Sequence, residues 1–248
     1  ASSSGFTLVA PKEATVVTPT TTMVAKSGGA LTAADVATAL GLPAGVDPLT
    51  FNPYGSGVSA ADALAVEKVA QQVMGAVTAF GASLEGAGAS ADDAFALALE
   101  SIVEVVKDNK TAGTTLDLTD TADIATIATK ADGLIAGGTY ASTSGGGWGG
   151  AAWTALKSNT TDAIKAVADN ISNVDSLTSD AAKGSFGNVE VLKAQVKAAA
   201  TAEAAGAGNG LGQIAFMNAD NVRDSANNMA PTAVTLGTTS ISEAADSL

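Results

Sequence analysis

The sequence predicts a mainly α fold: about seven helices in an antiparallel, bundle-like domain, with short β segments at both termini. Three observations carry this. Apolar residues recur at helical spacing through most of the chain; Ser, Thr or Asp stands ahead of four such runs with an Asp three residues on; and glycine- and proline-rich breaks separate the runs. The clearest run is Val66, Val69, Val73, Val77 and Phe80, one stripe of a helix with Glu67, Lys68, Gln71 and Gln72 mostly on the other side. Ser59 is its expected N-cap and Asp62 the acidic partner of a capping box.

Ahead of that helix, Gly5–Pro19 holds β-prone pairs, Phe6 with Leu8 and Val16 with Val17, interrupted by Pro11 and Pro19. This pattern predicts one or two edge strands, because proline cannot donate to a ladder. Thr20–Ala25 reads as a short helix or an extended piece. Thr32 with Asp35 opens a short helix marked by Leu31, Val36 and Leu40, which Gly41 and Pro43 end.

Behind it, Ser90 with Asp93 opens a helix striped by Phe95, Leu99, Ile102, Val103 and Val106. The short loop from the preceding helix implies an antiparallel hairpin. Asp120 with Asp123 opens another, carried by Ile124, Ile127, Ala131 and Leu134. The LDLTDTAD run around Asp117, Asp120 and Asp123 is a capping arrangement or, alternatively, a calcium loop, although it has neither the glycine nor the terminal glutamate of an EF-hand. The segment GGTYASTSGGGWGG, residues 137–150, divides a front half from a rear half. It is an exposed loop presenting Trp148 or a close backbone approach around a buried one, the second fitting better with how large apolar side chains are placed. With no basic partners beside them, Trp148 and Tyr140 do not form a base-stacking platform. In the rear half, Trp153, Leu156, Ile164, Val167, Ile171 and Val174 trace a long helix, with Asn159 and Asp162 a cap-like pair where it could bend. Val189, Leu192, Val196 and Ala199 trace the next, and Leu211, Ile214 and Met217 begin a last one fading near Arg223.

Composition excludes several function classes. Hydrophobic residues make up 46% of the 248 but aromatics only 4%, so the core is built from Ala, Val, Leu and Ile. The net charge is −13, with Arg223 the single arginine, which leaves no basic footprint for nucleic acid or an anionic membrane. Such acidity suits a solvated surface or divalent cations. There is no cysteine and no histidine, hence no disulfide, thiolate nucleophile or imidazole ligand. No run reaches the roughly 18 apolar residues of a membrane-spanning helix. The start, ASSSGFTLVA, lacks a signal peptide's basic and apolar regions and reads as an internal beginning.

The run ATVVTPTTTMVAKSGGALTAADVATALGLPAGVDPLTFNPYGSG, followed by ALAVEKVAQQV, resembles a segment of large bacterial secreted and cell-surface repeat proteins of the adhesin type. There a small β domain ends in a "VTPLTTL" phrase and passes through "LGLPxGVD" into helices; this chain has Thr20 where leucine is usual. The carboxyl-terminal stretch DSANNMAPTAVTLGTTSISEAADSL alternates at Val234, Leu236 and Ile241, a strand pattern, and resembles the opening of a cadherin-like or related Ig-type repeat. The resemblance implies three domains: residues 1–19 ending a preceding β domain, 20–226 the helical domain, and 227–248 a linker and first strand. It also implies Asp224, Asn227, Asn228 and Glu243 as a candidate site for calcium, the one cofactor in view; a plain linker is the alternative.

The expected function is that of a non-enzymatic structural or assembly module of a bacterial surface protein: adhesin, surface layer or extracellular filament. Its partners would be copies of itself or neighbouring domains, met through terminal strands that must pair or leave backbone groups unsatisfied. The alternatives are a helical polysaccharide- or peptide-binding module and, less favoured because the carboxylates stand mainly at helix starts, a carboxylate-dependent enzyme.

Overall fold

The computed structural model of the chain describes residues 7–87, 89–138, 140 and 151–177, with helical positions 195, 198, 199, 202 and 203 beyond them. Six helices lie in the continuous stretches: α1 (Pro19–Lys26), α2 (Ala33–Ala39), α3 (Ala60–Gly86), α4 (Ala91–Ala112), α5 (Thr121–Ala136) and α6 (Ala151–Ser172). The four long helices close a ring, α3 packing on α4 and α6, and α5 on α4 and α6. Neighbours run antiparallel. Lys68 and Gln72 near the start of α3 bond to the end of α6, Ser83 further along meets Thr160, and Asp132 late in α5 meets Trp153 early in α6. The short α1 and α2 pack on each other and on α4, with α1 also against α3. No helix of the described residues is long and apolar enough to cross a membrane.

Five of the six starts, those of α1 to α5, carry a capping residue. Thr32 accepts from the Asp35 amide at 3.2 Å while Asp35 Oδ2 accepts from the Thr32 amide at 2.8 Å, a reciprocal box. At α3, Ser59 accepts from the Asp62 amide at 3.0 Å, but the Asp62 carboxylate takes the Ser59 hydroxyl, at 2.7 Å, instead of the backbone N–H the sequence pattern implies. Ser90 caps α4 through the Asp93 amide. Asp120 caps α5 through Ala122, while Asp123 accepts from the Asp117 amide at 2.7 Å. Of the four boxes expected from the sequence, the one at Thr32 is reciprocal, while at Ser59, Ser90 and Asp120 the capping side chain is in place without the acid's return bond to the cap amide.

The core is made of the expected stripes: Val73, Val77, Phe80 and Leu84 of α3, Ile102 and Val106 of α4, Ile124 and Ile127 of α5, and Leu156, Ile164 and Ile171 of α6 are all buried. Val66 and Val69, at the start of the α3 stripe, are half-buried. Trp153 is the large plug of this small-residue core, its ring 6.0 Å from that of Phe80 and its indole N–H donating to Asp132 Oδ1 at 2.7 Å. At the ring's seam, Lys68 donates to the Ser172 carbonyl at 2.8 Å and Gln72 to the Ala168 carbonyl at 3.2 Å, closing the last turn of α6 with a cation and an amide.

Four expectations are corrected. Residues 7–17 contain no strand. There the work of a partner strand falls to threonine hydroxyls: the Val9 amide donates to Thr22 Oγ1 at 3.0 Å, and the Val9 carbonyl accepts from the same hydroxyl at 2.8 Å. Pro19 does not break a strand but begins α1, where a missing N–H costs nothing, and Thr18 caps it. Thr20–Ala25 is accordingly helical. Asn159 and Asp162 do not cap or divide anything, since α6 runs through them; Asn159 Nδ2 instead donates to Glu203 Oε1 at 2.7 Å. Of the seven helices expected, five are α2–α6, and α1 is an addition. The one expected around Val189–Ala199 is represented by helical positions such as 195 and 199, with Ala199 packed on the core. The last, from Leu211, and the carboxyl-terminal strand over 232–241 lie outside the described residues, as does Trp148.

Candidate functional site

Along the outer seam of α3 and α4 runs a groove of about 640 Å³. Its geometry is set by residue size. Gly81 and Ala82 of α3 and Ala91 and Ala96 of α4 supply no side chain beyond Cβ, so the seam is deep, and Val77 and Leu99 form an apolar floor with the half-buried Phe95. On α4 the lining residues Asp92, Phe95, Ala96, Leu99 and Glu100 fall at i, i+3, i+4, i+7 and i+8, one helix face with an acid at each end. Glu85, the penultimate residue of α3, adds a third carboxylate, and Lys26, the last residue of α1, the one lining cation among the described residues.

Tyr140 closes part of this groove. Its hydroxyl donates to Glu100 Oε2, and burial together with that carboxylate pushes the phenol well above its ordinary range, so it remains a neutral donor. Glu100 therefore has one oxygen fixed by a neutral donor in a half-buried setting. Asp92, at the mouth, is exposed.

Several of the other described carboxylates serve the scaffold. Asp35 holds the Thr32 amide and an ion pair with Lys110 at 2.9 Å, which bring its carboxyl down to about 2. Asp132 pairs with Lys157 at 2.7 Å as well as with the Trp153 indole, and Asp108 with Lys130, Glu104 with Lys107 and Asp169 with Lys165 form ion pairs. In the LDLTDTAD run, Asp117 Oδ1 accepts from the Thr119 amide and hydroxyl, Asp120 caps α5 and Asp123 turns back to Asp117. The three carboxylates point into loop and cap bonds, and among the described residues no group of acids is arranged to hold a metal ion.

The sequence-derived calcium candidates, Asp224, Asn227, Asn228 and Glu243, lie outside the described residues. The groove was not foreseen from the sequence. Its signal was present on α4, where the face carrying Phe95 and Leu99 has Asp92 and Glu100 four residues either side of Ala96, but Tyr140 reaches it from beyond the end of α5, a juxtaposition that no local pattern encodes. No protein-family model, curated protein or solved structure matches this chain.

Proposed function

We propose that this chain is a non-enzymatic structural module of a secreted or cell-surface bacterial protein, one that spaces and joins neighbouring units in an adhesin, surface layer or filament. The observation that carries the reading is how its polar side chains are used. Hydroxyls and carboxylates close the starts of five helices, and lysines pair with acids between and along helices, so the bundle is fastened within itself as a spacer must be. The resemblance of its amino-terminal phrase to surface repeat proteins supports the same reading, and the acidic surface suits a protein kept in solution between contacts. In this reading neighbours join through the carboxyl-terminal segment, with calcium bound by Asp224, Asn227, Asn228 and Glu243.

The experiment is the mass of the chain in solution across concentration, with and without calcium, for the full chain and for one ending before Pro231. Assembly that weakens on that deletion is expected. A chain that stays monomeric under every condition, or one whose assembly survives the deletion unchanged, overturns the connecting role. A second reading, as a binding module, is favoured by the α3/α4 groove with its apolar floor and acidic ends.

A further inference from the structure

The α3/α4 groove has a chemistry of its own, independent of how the module joins its neighbours. Among the described residues its charged lining is three carboxylates, Glu85, Asp92 and Glu100, against one amine, Lys26, so their combined field is negative. Between them the floor of Val77, Phe95 and Leu99 is apolar, and Gly81 and Ala96 put no side chain beyond Cβ in the way of an aliphatic chain laid along it. Asp92 and Glu100 are two turns apart on α4, which separates them by about 12 Å along the helix axis. We propose that this groove binds a linear aliphatic diamine or polyamine, methylenes on the apolar floor and one ammonium at each acidic end.

Each contact has a physical role. Glu100 receives an ammonium beside Tyr140, whose hydroxyl fixes the carboxylate's orientation and stays protonated. Asp92 holds the other end at the solvent edge, where an exposed ion pair is weak and easily screened. Selectivity therefore comes from length: a diamine too short cannot reach both acids, and one too long must leave an end outside or buckle off the floor. A second copy of this chain is disfavoured as the occupant by its charge of −13.

The test is titration calorimetry of the full chain with α,ω-diaminoalkanes of increasing length at fixed ionic strength, repeated with Asp92→Asn and Glu100→Gln. Both substitutions keep shape, and Glu100→Gln retains an acceptor for Tyr140. Affinity should peak where the ammonium nitrogens stand about 12 Å apart. Each substitution should weaken that optimal diamine about three- to fivefold, the worth of an exposed ion pair, and flatten the length dependence. Lys26→Ala should tighten it. Affinity that is independent of length, or unchanged in both variants, means only diffuse attraction to an acidic protein and overturns the proposal; so does a lysine-bearing peptide that binds more tightly than every diamine.

Discussion

Ser83 of α3 and Thr160 of α6 are both fully buried, and their hydroxyl oxygens lie 2.6 Å apart across the core. Ser83 also reaches the Ala79 carbonyl at 3.0 Å and Thr160 the Leu156 carbonyl at 2.9 Å. Two hydroxyl protons serve these three contacts. With Ser83 donating to Ala79, Thr160 donates either across the interface or to its own helix. Thr160→Val keeps the shape and leaves Ser83 its Ala79 acceptor, so no donor is stranded and the cost is one net hydrogen bond, about 1 kcal/mol. Ser83→Ala loses the bond to the Ala79 carbonyl but lets Thr160 turn to Leu156, and alanine's better helix propensity returns about 0.5 kcal/mol, for a net cost of about 0.5 kcal/mol. The double variant keeps neither hydroxyl bond and should cost about 1.5 kcal/mol, so the two substitutions should be additive as long as Thr160 can turn to Leu156 when Ser83 is gone. Urea unfolding followed by circular dichroism, with equal m-values across the four proteins, measures it. A coupling of about 1 kcal/mol would refute the switch of Thr160 to Leu156, and a loss above about 3 kcal/mol in Thr160→Val would mean the hydroxyl satisfies a group other than these.

Gly133 is an exposed interior residue of α5, and a Cβ built on it meets nothing within 4 Å; Gly133→Ala should therefore stabilise by about 1 kcal/mol, seen as a rise in Tm. The Asp35 carboxyl is held near 2 in the fold, below its value of about 3.9 when unfolded, so its contribution is present above about pH 4 and is lost as pH falls toward 2. Asp35→Asn should accordingly be less stable than the parent at neutral pH, with the gap narrowing between pH 4 and 2 in denaturant titrations; a constant gap would place its role elsewhere. Trp153→Phe gives up the indole bond to Asp132 and part of the core plug, and should lower stability by about 2 to 3 kcal/mol by the same assay.

What local sequence encodes, the sequence revealed. Ser59, Ser90, Thr32 and Asp120 cap helices as their spacing implies, and the stripes of α4, α5 and α6 face the core because apolar periodicity is decided residue by residue along one helix. The failures share a cause. Residues 7–17 look β-prone, yet the partner for Val9 is a pair of side chains on α1, Thr21 and Thr22, and a propensity scale does not register a hydroxyl standing in for a strand. Asn159 and Asp162 look like a cap, but the core contacts of Leu156 and Ile164 on either side carry the helix through. The groove was hidden for the same reason: it joins α3, α4, the end of α1 and Tyr140, which only tertiary packing assembles.

The bonds of Lys68 and Gln72 to the end of α6 join residues 96 to 104 positions apart, whereas α3 and α4 are joined by the few residues between Gly86 and Ala91. Closing so long a loop from an open chain costs about 3 kcal/mol more entropy than closing that short turn. The α3/α4 and α5/α6 hairpins are therefore expected to form before the two ends of the ring meet, with the seam between α3 and α6 added after the rate-limiting step. Interactions made late slow unfolding without speeding folding. Lys68→Ala and Gln72→Ala should thus steepen nothing in the refolding arm of a chevron and raise the unfolding arm, and the amides at the end of α6 should exchange with solvent sooner than those of the α3/α4 hairpin.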